Sequence, residues 1–110
     1  MNRTITATML ACGALLAPLA SAQEFPSKPV KFVVPQAAGG TTDVFARYIG
    51  QKLSAKWGQP VVVENKVGAA GVVGTDLVAK SPADGYTMLV TYAGSQAVNQ
   101  SLYARIPFTR

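Results

Sequence analysis

Histidine is absent from the 110-residue sequence, and cysteine occurs only once, at position 12. Without histidine, the chain has no Ser-His-Asp triad, lacks the commonest general base and lacks the imidazole ligands of zinc and copper sites. Acidic residues are also few, five in all, and none of them forms a close pair at metal-ligand spacing. The sequence therefore predicts a protein that is not an enzyme and that needs no cofactor or metal.

The first 22 residues have the three parts of a secretory signal peptide. Arg3 supplies a positive charge, an apolar Ala/Leu-rich stretch follows, and Ala20-Ser21-Ala22 matches a signal-peptidase site. The apolar stretch is shorter than the ~20 residues that a membrane span needs. Acylation of Cys12, as in a lipoprotein, is the alternative, but the apolar run before it is short. We predict cleavage after Ala22, a periplasmic location, and a mature chain of residues 23–110 without cysteine.

Basic residues outnumber acidic ones, ten to five, which gives a net charge of +5 at pH 7. They are spread along the chain, whereas a nucleic-acid-binding stripe would group them with aromatic side chains. This distribution is typical of a solvated surface, and we predict no nucleic-acid partner.

Apolar runs and amphipathic segments alternate in the order β-α-β-α-β. Strands are predicted over residues 30–34, 61–65 and 86–92, where β-branched and apolar residues follow one another. Helices are predicted from about 42 to 57 and from 71 to 80, and a helical turn over 99–103. Strands that alternate with helices form parallel sheets, so the predicted fold class is α/β with a parallel sheet.

The first helix has recognisable ends and an apolar face. Thr41 or Thr42 can cap its N-terminus, Asp43 suits the helix dipole, and Gly58 is a natural stop before Pro60. The apolar side chains predicted to form its buried face are Val44, Phe45, Tyr48, Ile49, Leu53 and Trp57.

A loop of small residues follows each predicted strand, at residues 35–42, 66–71 and 93–96. Ligands of parallel sheets bind beyond the carboxyl ends of the strands, and helix starts offer unpaired N–H groups to anions. The glycines at 68, 71 and 74 do not form the dinucleotide motif G-x-G-x-x-G. Taken singly, such glycines only permit tight turns. Three small-residue loops at one sheet edge favour a site for a carboxylate or phosphate.

Several stretches resemble, in order and at family spacing, the Bug (TctC-like) family, the periplasmic solute receptors of tripartite tricarboxylate transporters. The stretch P-Q-A-A-G-G-T-T-D at 35–43 is similar to the first glycine loop of that family. Further similarity lies in F-P-S-K-P-V at 25–30, G-Q-P-V-V-V-E-N at 58–65, G-A-A-G at 68–71, A-K-S-P-A-D-G-Y-T at 79–87, and in Asn99 and Leu102-Tyr103. Family members usually carry an aromatic residue where this chain has Gln36.

The resemblance implies the first domain of a two-domain, Venus-flytrap periplasmic-binding-protein fold, with residues 23–110 as its N-terminal part. It also implies a small carboxylate ligand, membrane transporter subunits as partners, and a monomer when the receptor is complete. Since such receptors bury the ligand between two domains, we expect weak binding by this part alone. The implied ligand-binding residues are Gly39, Gly40, Thr41, Thr42 and Asp43 in the first loop, Ala69, Ala70 and Gly71 in the second, and Ser95 and Gln96 in the third.

Two alternatives stand beside the receptor interpretation. A small secreted hydrolase would use Ser95 as its nucleophile, although the sequence has neither histidine nor the G-x-S-x-G motif. A truncated fragment would have no activity of its own.

Overall fold

A computed structural model describes residues 24–108, so the predicted signal peptide and its cleavage site lie outside the described residues. A 3₁₀ turn at Ala69–Gly71 leads into the second of three helices. The elements in chain order are β1 at Val30–Val34, α1 at Thr41–Trp57, β2 at Val61–Asn65, α2 at Val72–Ala79, β3 at Thr87–Leu89 and α3 at Ala93–Leu102.

The three strands form one sheet in the order β2-β1-β3. Both pairings are parallel: Val30 lies opposite Val61, and Lys31 lies opposite Thr87. The predicted α/β class is therefore confirmed. Because all three strands run the same way, the segments that follow them emerge at one edge of the sheet.

The central strand β1 supplies most of the core. Val30, Phe32 and Val34 are buried on the face that α1 covers, together with Ala46 of that helix. Successive side chains of a strand point to opposite faces, so Val33, which is also fully buried, faces the other side. Helix α2 packs against β1 and β3. A strand covered on both faces has a nearly continuous apolar sequence, as β1 does except at the exposed Lys31.

The predicted apolar face of α1 is only partly correct. Val44, Phe45 and Tyr48 are 59 %, 58 % and 58 % exposed, whereas Ile49, Leu53 and Trp57 do pack against the core. The buried positions of the helix are instead Asp43, Ala46 and Gly50. Small residues allow the helix to approach the sheet closely: a Cβ atom added at Gly50 would lie 3.1 Å from Cγ1 of Val61. The helix is therefore rotated toward its small residues and away from Val44, Phe45 and Tyr48.

Helix α2 comes equally close to the ends of two strands. A Cβ atom at Gly74 would lie 2.8 Å from Cβ of Pro35 and 2.9 Å from the carbonyl oxygen of Lys66. Glycine is required here for close packing, and this contact fixes the start of α2 against the loop edge.

Two element boundaries differ from the prediction. The N-cap of α1 is Gly40, with no side-chain cap, and not Thr41 or Thr42. Strand β3 is limited to Thr87–Leu89, three residues of the predicted seven.

The predicted third loop, at residues 93–96, is the first turn of α3, and the helical turn predicted at 99–103 is the end of the same helix. The small residues of this segment suggested a loop because glycine and serine favour turns. The segment is nevertheless helical, because tertiary packing stabilises the helix: Ser95 and Asn99 are buried on one of its faces. Among the helices of residues 24–108, none is long and apolar enough to span a membrane.

Candidate functional site

The first loop carries exposed backbone from β1 into α1. Residues 37–40 are exposed, and Gly39 adopts a left-handed φ of +83°. Because Gly40, the N-cap, has no side chain, nothing from that residue caps the first turn of α1. The first N–H groups of a helix have no intrahelical partner and carry a partial positive charge. This helix start is therefore suited to an anion.

Asp43 lies beneath this loop and organises it. The N–H of Gly39 donates to Oδ2 of Asp43 at 2.8 Å, and Nε of Arg47 donates to both carboxylate oxygens at 3.1 Å. Nδ2 of Asn65 donates to Oδ1 of Asp43 at 3.0 Å and to the carbonyl of Gln36 at 3.2 Å. The Asp43 carboxylate thus joins the first loop, the start of α1 and the end of β2.

These hydrogen bonds lower the pKa of Asp43 from 3.8 to about 2, with the N–H of Gly39 contributing most, followed by Arg47 and Asn65. The side chain is only 4 % exposed. Asp43 is therefore ionised at any physiological pH, and hydrogen-bond donors within the protein balance its negative charge. The structure supports a bracing role for Asp43 at the helix start.

The second loop has an unusual backbone for its sequence. Ala69 and Ala70 have φ values of +46° and +52°, and Gly68 and Gly71 flank them with φ values of +149° and +93°. A left-handed conformation costs a residue with a Cβ atom about 1–2 kcal/mol. Ala69 and Ala70 are exposed. Successive backbone N–H groups in a turn can form a concave group of donors that binds anions.

Side chains from α2 and α3 hold this loop. Oγ of Ser95 donates to the carbonyl of Ala70 at 3.1 Å, and Nδ2 of Asn99 donates to the same oxygen at 2.9 Å. Oγ1 of Thr75 donates to the carbonyl of Gly71 at 2.8 Å, and Nε2 of Gln96 donates to Oγ1 of Thr75 at 3.0 Å. Helix α3 is therefore joined to the second loop through polar side chains.

An open cavity of about 470 Å³ lies at the first loop. Its lining residues come from both sides of the sheet edge: Gln36, Ala37, Gly40, Thr41, Thr42 and Tyr92. Gln36 donates from Nε2 to Oγ1 of Thr91 at 3.0 Å. A larger cavity, about 620 Å³, is lined by residues of α1, β2 and Pro60 and by no residue of the loops. Within residues 24–108, no group of three or more His, Cys, Asp or Glu side chains could hold a metal ion.

The structure divides the predicted site residues into two kinds. Gly39, Gly40, Thr41, Ala69 and Ala70 are exposed, and Thr42 is half-buried. The others face into the protein: Asp43, Gly71 and Ser95 are buried, and Gln96 is half-buried with its amide on Thr75. Whether these residues bind a ligand stays a prediction.

Sequence reasoning missed the residues that brace the two loops: Arg47, Asn65, Thr75 and Asn99. The i, i+4 spacing of Asp43 and Arg47 on a helix was a usable signal for the first of them. For Asn65, the signal was a polar residue at the end of a β-branched strand. The contact of Asn99 joins residues 29 positions apart, and no local pattern indicates it.

The chain is similar in sequence to known proteins. The chain is 44 % identical over 113 residues to protein BugT of Bordetella pertussis. That match covers 98 % of this chain and 34 % of BugT, so the chain spans about a third of that relative's length.

Solved structures show the same fold. MatC from Rhodopseudomonas palustris with bound malate is 36 % identical, with a TM-score of 0.71 over 76 % of this chain and 29 % of MatC. The periplasmic binding protein BugD is 49 % identical, with a TM-score of 0.56 over 59 % of this chain and 22 % of BugD.

The parallel sheet and its loop-bearing edge therefore place the chain in the class of periplasmic-binding-protein folds. Residues 45–110 match the family model described as the tripartite tricarboxylate transporter family receptor. The chain belongs to this family, whose members are binding receptors rather than enzymes.

Proposed function

We propose that this chain is the N-terminal ligand-binding part of an exported solute receptor that captures a small carboxylate for a tripartite tricarboxylate-type transporter. Exposed backbone of Gly39–Thr42 and of Ala69–Ala70 contacts the carboxylate. Asp43, Gly71, Ser95 and Gln96 complete the site from beneath. The transporter's membrane subunits are the partners, and the complete receptor is a monomer.

The observation that carries this proposal is the pairing of two exposed, small-residue backbone segments at one sheet edge. One is the uncapped start of α1 at Gly40, and the other is the left-handed segment at Ala69 and Ala70. Both offer N–H groups, and the Asp43 carboxylate beside the first segment is buried and ion-paired with Arg47. A carboxylate matches both segments, and MatC was solved with a dicarboxylate, malate.

The environment of Ser95 does not favour the hydrolase alternative. Ser95 is 5 % exposed, and its hydroxyl donates to the carbonyl of Ala70. A serine nucleophile needs an accessible Oγ and a base that takes its proton. The sequence contains no histidine for that second task.

The location and the domain organisation are parts of the same proposal. Residues 1–22 act as a signal peptide, and residues 23–110 form part of the first domain of a two-domain receptor. Mass spectrometry of the exported protein should find Gln23, free or cyclised, as the first residue. An intact Met1, or a lipid on Cys12, would contradict cleavage after Ala22.

Binding is tested by NMR titration of residues 23–110 with L-malate and, as a matched control, with its neutral diamide. Malate should shift the backbone amide signals of Gly40–Thr42 and Ala69–Gly71, and the diamide should not. Because a second domain adds contacts and each 1.4 kcal/mol is about tenfold in affinity, we expect weak binding by these residues alone.

A chimera provides the stronger test. Residues 23–110 replace the matching segment of BugT, and calorimetry measures a panel of di- and tricarboxylates, aromatic carboxylates and acidic amino acids. Tight binding of a panel member by the chimera, with the loop amides responding, supports the proposal. If no carboxylate binds to the chimera or shifts the loop amides of the shorter chain, the proposed function is wrong.

A further inference from the structure

One carbonyl group in the second loop receives two hydrogen bonds from a single helix. The oxygen of Ala70 accepts from Oγ of Ser95 at 3.1 Å and from Nδ2 of Asn99 at 2.9 Å. Both donors are almost completely buried, with 5 % and 3 % of their surface exposed. Buried polar groups are normally hydrogen-bonded. Here the two buried side chains share one acceptor, the carbonyl oxygen of Ala70.

The segment that these donors hold would not adopt its conformation by itself. Ala69 and Ala70 are both left-handed, which alanine disfavours because of its Cβ atom. The next residue leaves no room for adjustment, since a Cβ atom at Gly71 would lie 2.9 Å from Oγ of Ser95. Strained backbone persists only where surrounding contacts impose it. Ser95 and Asn99 are such contacts.

A second pair of hydrogen bonds fixes the same helix relative to the loop. Oγ1 of Thr75 holds the carbonyl of Gly71, and Gln96 donates to that hydroxyl. One face of α3 thus contacts two successive peptide groups of the loop, directly at Ala70 and through Thr75 at Gly71. The exposed surface of Ala69 and Ala70 lies on the outside of this arrangement.

We propose that Ser95 and Asn99 are positioning residues for carboxylate binding, which hold the Ala69–Gly71 backbone in its left-handed, anion-binding conformation through the Ala70 carbonyl. The proposal rests on the proposed function for its ligand. It assigns Ser95 an indirect role, because its hydroxyl is already used by Ala70. It adds Asn99, which lies outside the three loops.

The first test needs no ligand. In residues 23–110, the ¹³Cα and ¹³Cβ shifts of Ala69 and Ala70 report their left-handed φ angles. Asn99→Asp keeps the size of the side chain but replaces its N–H donor by an oxygen, which repels the Ala70 carbonyl. The left-handed shifts should disappear in Asn99→Asp and weaken in Ser95→Ala. They should remain in Gln100→Glu, which makes the same chemical change at the next, exposed position.

The second test uses malate as the probe. In the wild-type chain and in Gln100→Glu, malate should shift the amide signals of both loops. In Asn99→Asp and Ser95→Ala, the response at Ala69–Gly71 should be lost while that at Gly40–Thr42 remains. A general loss of folding would remove both responses, so the split between loops identifies positioning.

The outcomes separate the two proposals. If neither malate nor any other carboxylate of the panel shifts a loop amide of the wild type, the proposed function fails in this chain, and the ligand-free shifts still decide the role of Asn99. If Asn99→Asp and Ser95→Ala both keep the left-handed shifts of Ala69 and Ala70, the positioning role is wrong. Should Asn99→Asp fail to fold, Ser95→Ala, which removes only one hydroxyl group, decides the question by the same two readouts.

Discussion

Nδ2 of Asn65 lies 3.0 Å from Oδ1 of Asp43, and this hydrogen bond joins the end of β2 to the first turn of α1. Asn65 also donates to the carbonyl of Gln36 and accepts from Nη2 of Arg47 at 3.1 Å. One amide side chain therefore satisfies groups of three residues, Gln36 of the first loop and Asp43 and Arg47 of α1.

Replacing Asn65 tests this link. Asn65→Ala leaves Asp43 and the Gln36 carbonyl each without one donor, which should lower the free energy of unfolding by about 1–3 kcal/mol. Asn65→Asp should be worse, because it places a second carboxylate against Asp43. Gln51→Glu, the same amide-to-acid change on the exposed side of α1, should have little effect. Urea denaturation measures all three, and an Asn65→Asp variant as stable as wild type would contradict the network.

The lowered pKa of Asp43 predicts a specific pH dependence. The folded protein holds this pKa near 2, against an ordinary value of 3.8. A lowered folded-state pKa stabilises the protein above the unfolded-state value, and this stabilisation is lost as the pH falls through the folded-state value. Asp43→Asn should therefore be less stable than wild type at pH 7, and the difference should shrink between about pH 4 and pH 2.

Thermal unfolding of both proteins across this pH range provides the measurement. Glu24→Gln, which makes the corresponding acid-to-amide change at an exposed position, is the control. A stability difference for Asp43→Asn that stays constant down to pH 2 would show that the Asp43 charge is not the cause.

Two phenylalanines provide a matched test of the corrected core. Phe32 of β1 is 4 % exposed, and Phe45 of α1 is 58 % exposed. Phe32→Ala should therefore lower the free energy of unfolding by about 3–5 kcal/mol, whereas Phe45→Ala should change it by less than about 1 kcal/mol. Denaturant unfolding of the two variants compares them directly. Equal losses would mean that α1 turns Phe45 toward the sheet, as the sequence alone predicts.

The α1 helix shows where sequence reasoning succeeds and where it stops. The end of α1 at Gly58 was predictable, because glycine accepts the left-handed C-cap conformation that is observed there, with φ of +68°. The buried face of α1 was not predictable. Large apolar side chains indicate which face is hydrophobic, but they do not show how closely the helix approaches the sheet. At Ala46 and Gly50, the small size of the residue allows α1 to pack closely against the sheet.

The two small-residue loops at 35–42 and 66–71 show the same division. Their place at the carboxyl edge of the sheet follows from strand order, and glycine and alanine indicate exposed backbone. The left-handed Ala69 and Ala70 could not be predicted, since alanine itself prefers right-handed conformations. That geometry depends on Asn99, which is 29 residues distant from Ala70.

Glycine substitution tests the strain at Ala70. Ala70 has a φ of +52°, so Ala70→Gly removes a conformational cost of about 1–2 kcal/mol from the folded state. The greater flexibility of glycine in the unfolded chain offsets about 0.4–1 kcal/mol of this gain. A net stabilisation of about 0.5–1 kcal/mol is expected. Ala55→Gly, in the regular part of α1, should instead lose about 0.5–1 kcal/mol. Equal losses in the two variants, measured by chemical denaturation, would show that Ala70 is right-handed in solution.

A substitution at Gly40 tests the proposed role of the first loop, because the backbone at Gly40 is not strained. Its φ of −73° suits any residue, and a Cβ atom there would lie 3.3 Å from the carbonyl of Ala37, a tight contact that requires only a small shift. Gly40→Leu should therefore fold, but its side chain projects where a carboxylate must reach the N–H groups of Thr41 and Thr42. We expect malate binding to the BugT chimera to weaken at least tenfold, which corresponds to about 1.4 kcal/mol.

The control for Gly40→Leu is Gln51→Leu, which adds the same side chain at an exposed position further along α1. Calorimetry with malate, or with the panel carboxylate that binds best, compares both variants with the parent chimera, and circular dichroism checks that each is folded. Because Gly40 lines the cavity beside Thr41 and Tyr92 and Gln51 does not, only Gly40→Leu should lose affinity. If Gly40→Leu is folded and binds as tightly as the parent, the ligand does not approach the start of α1, and the carboxylate must be held elsewhere on the receptor.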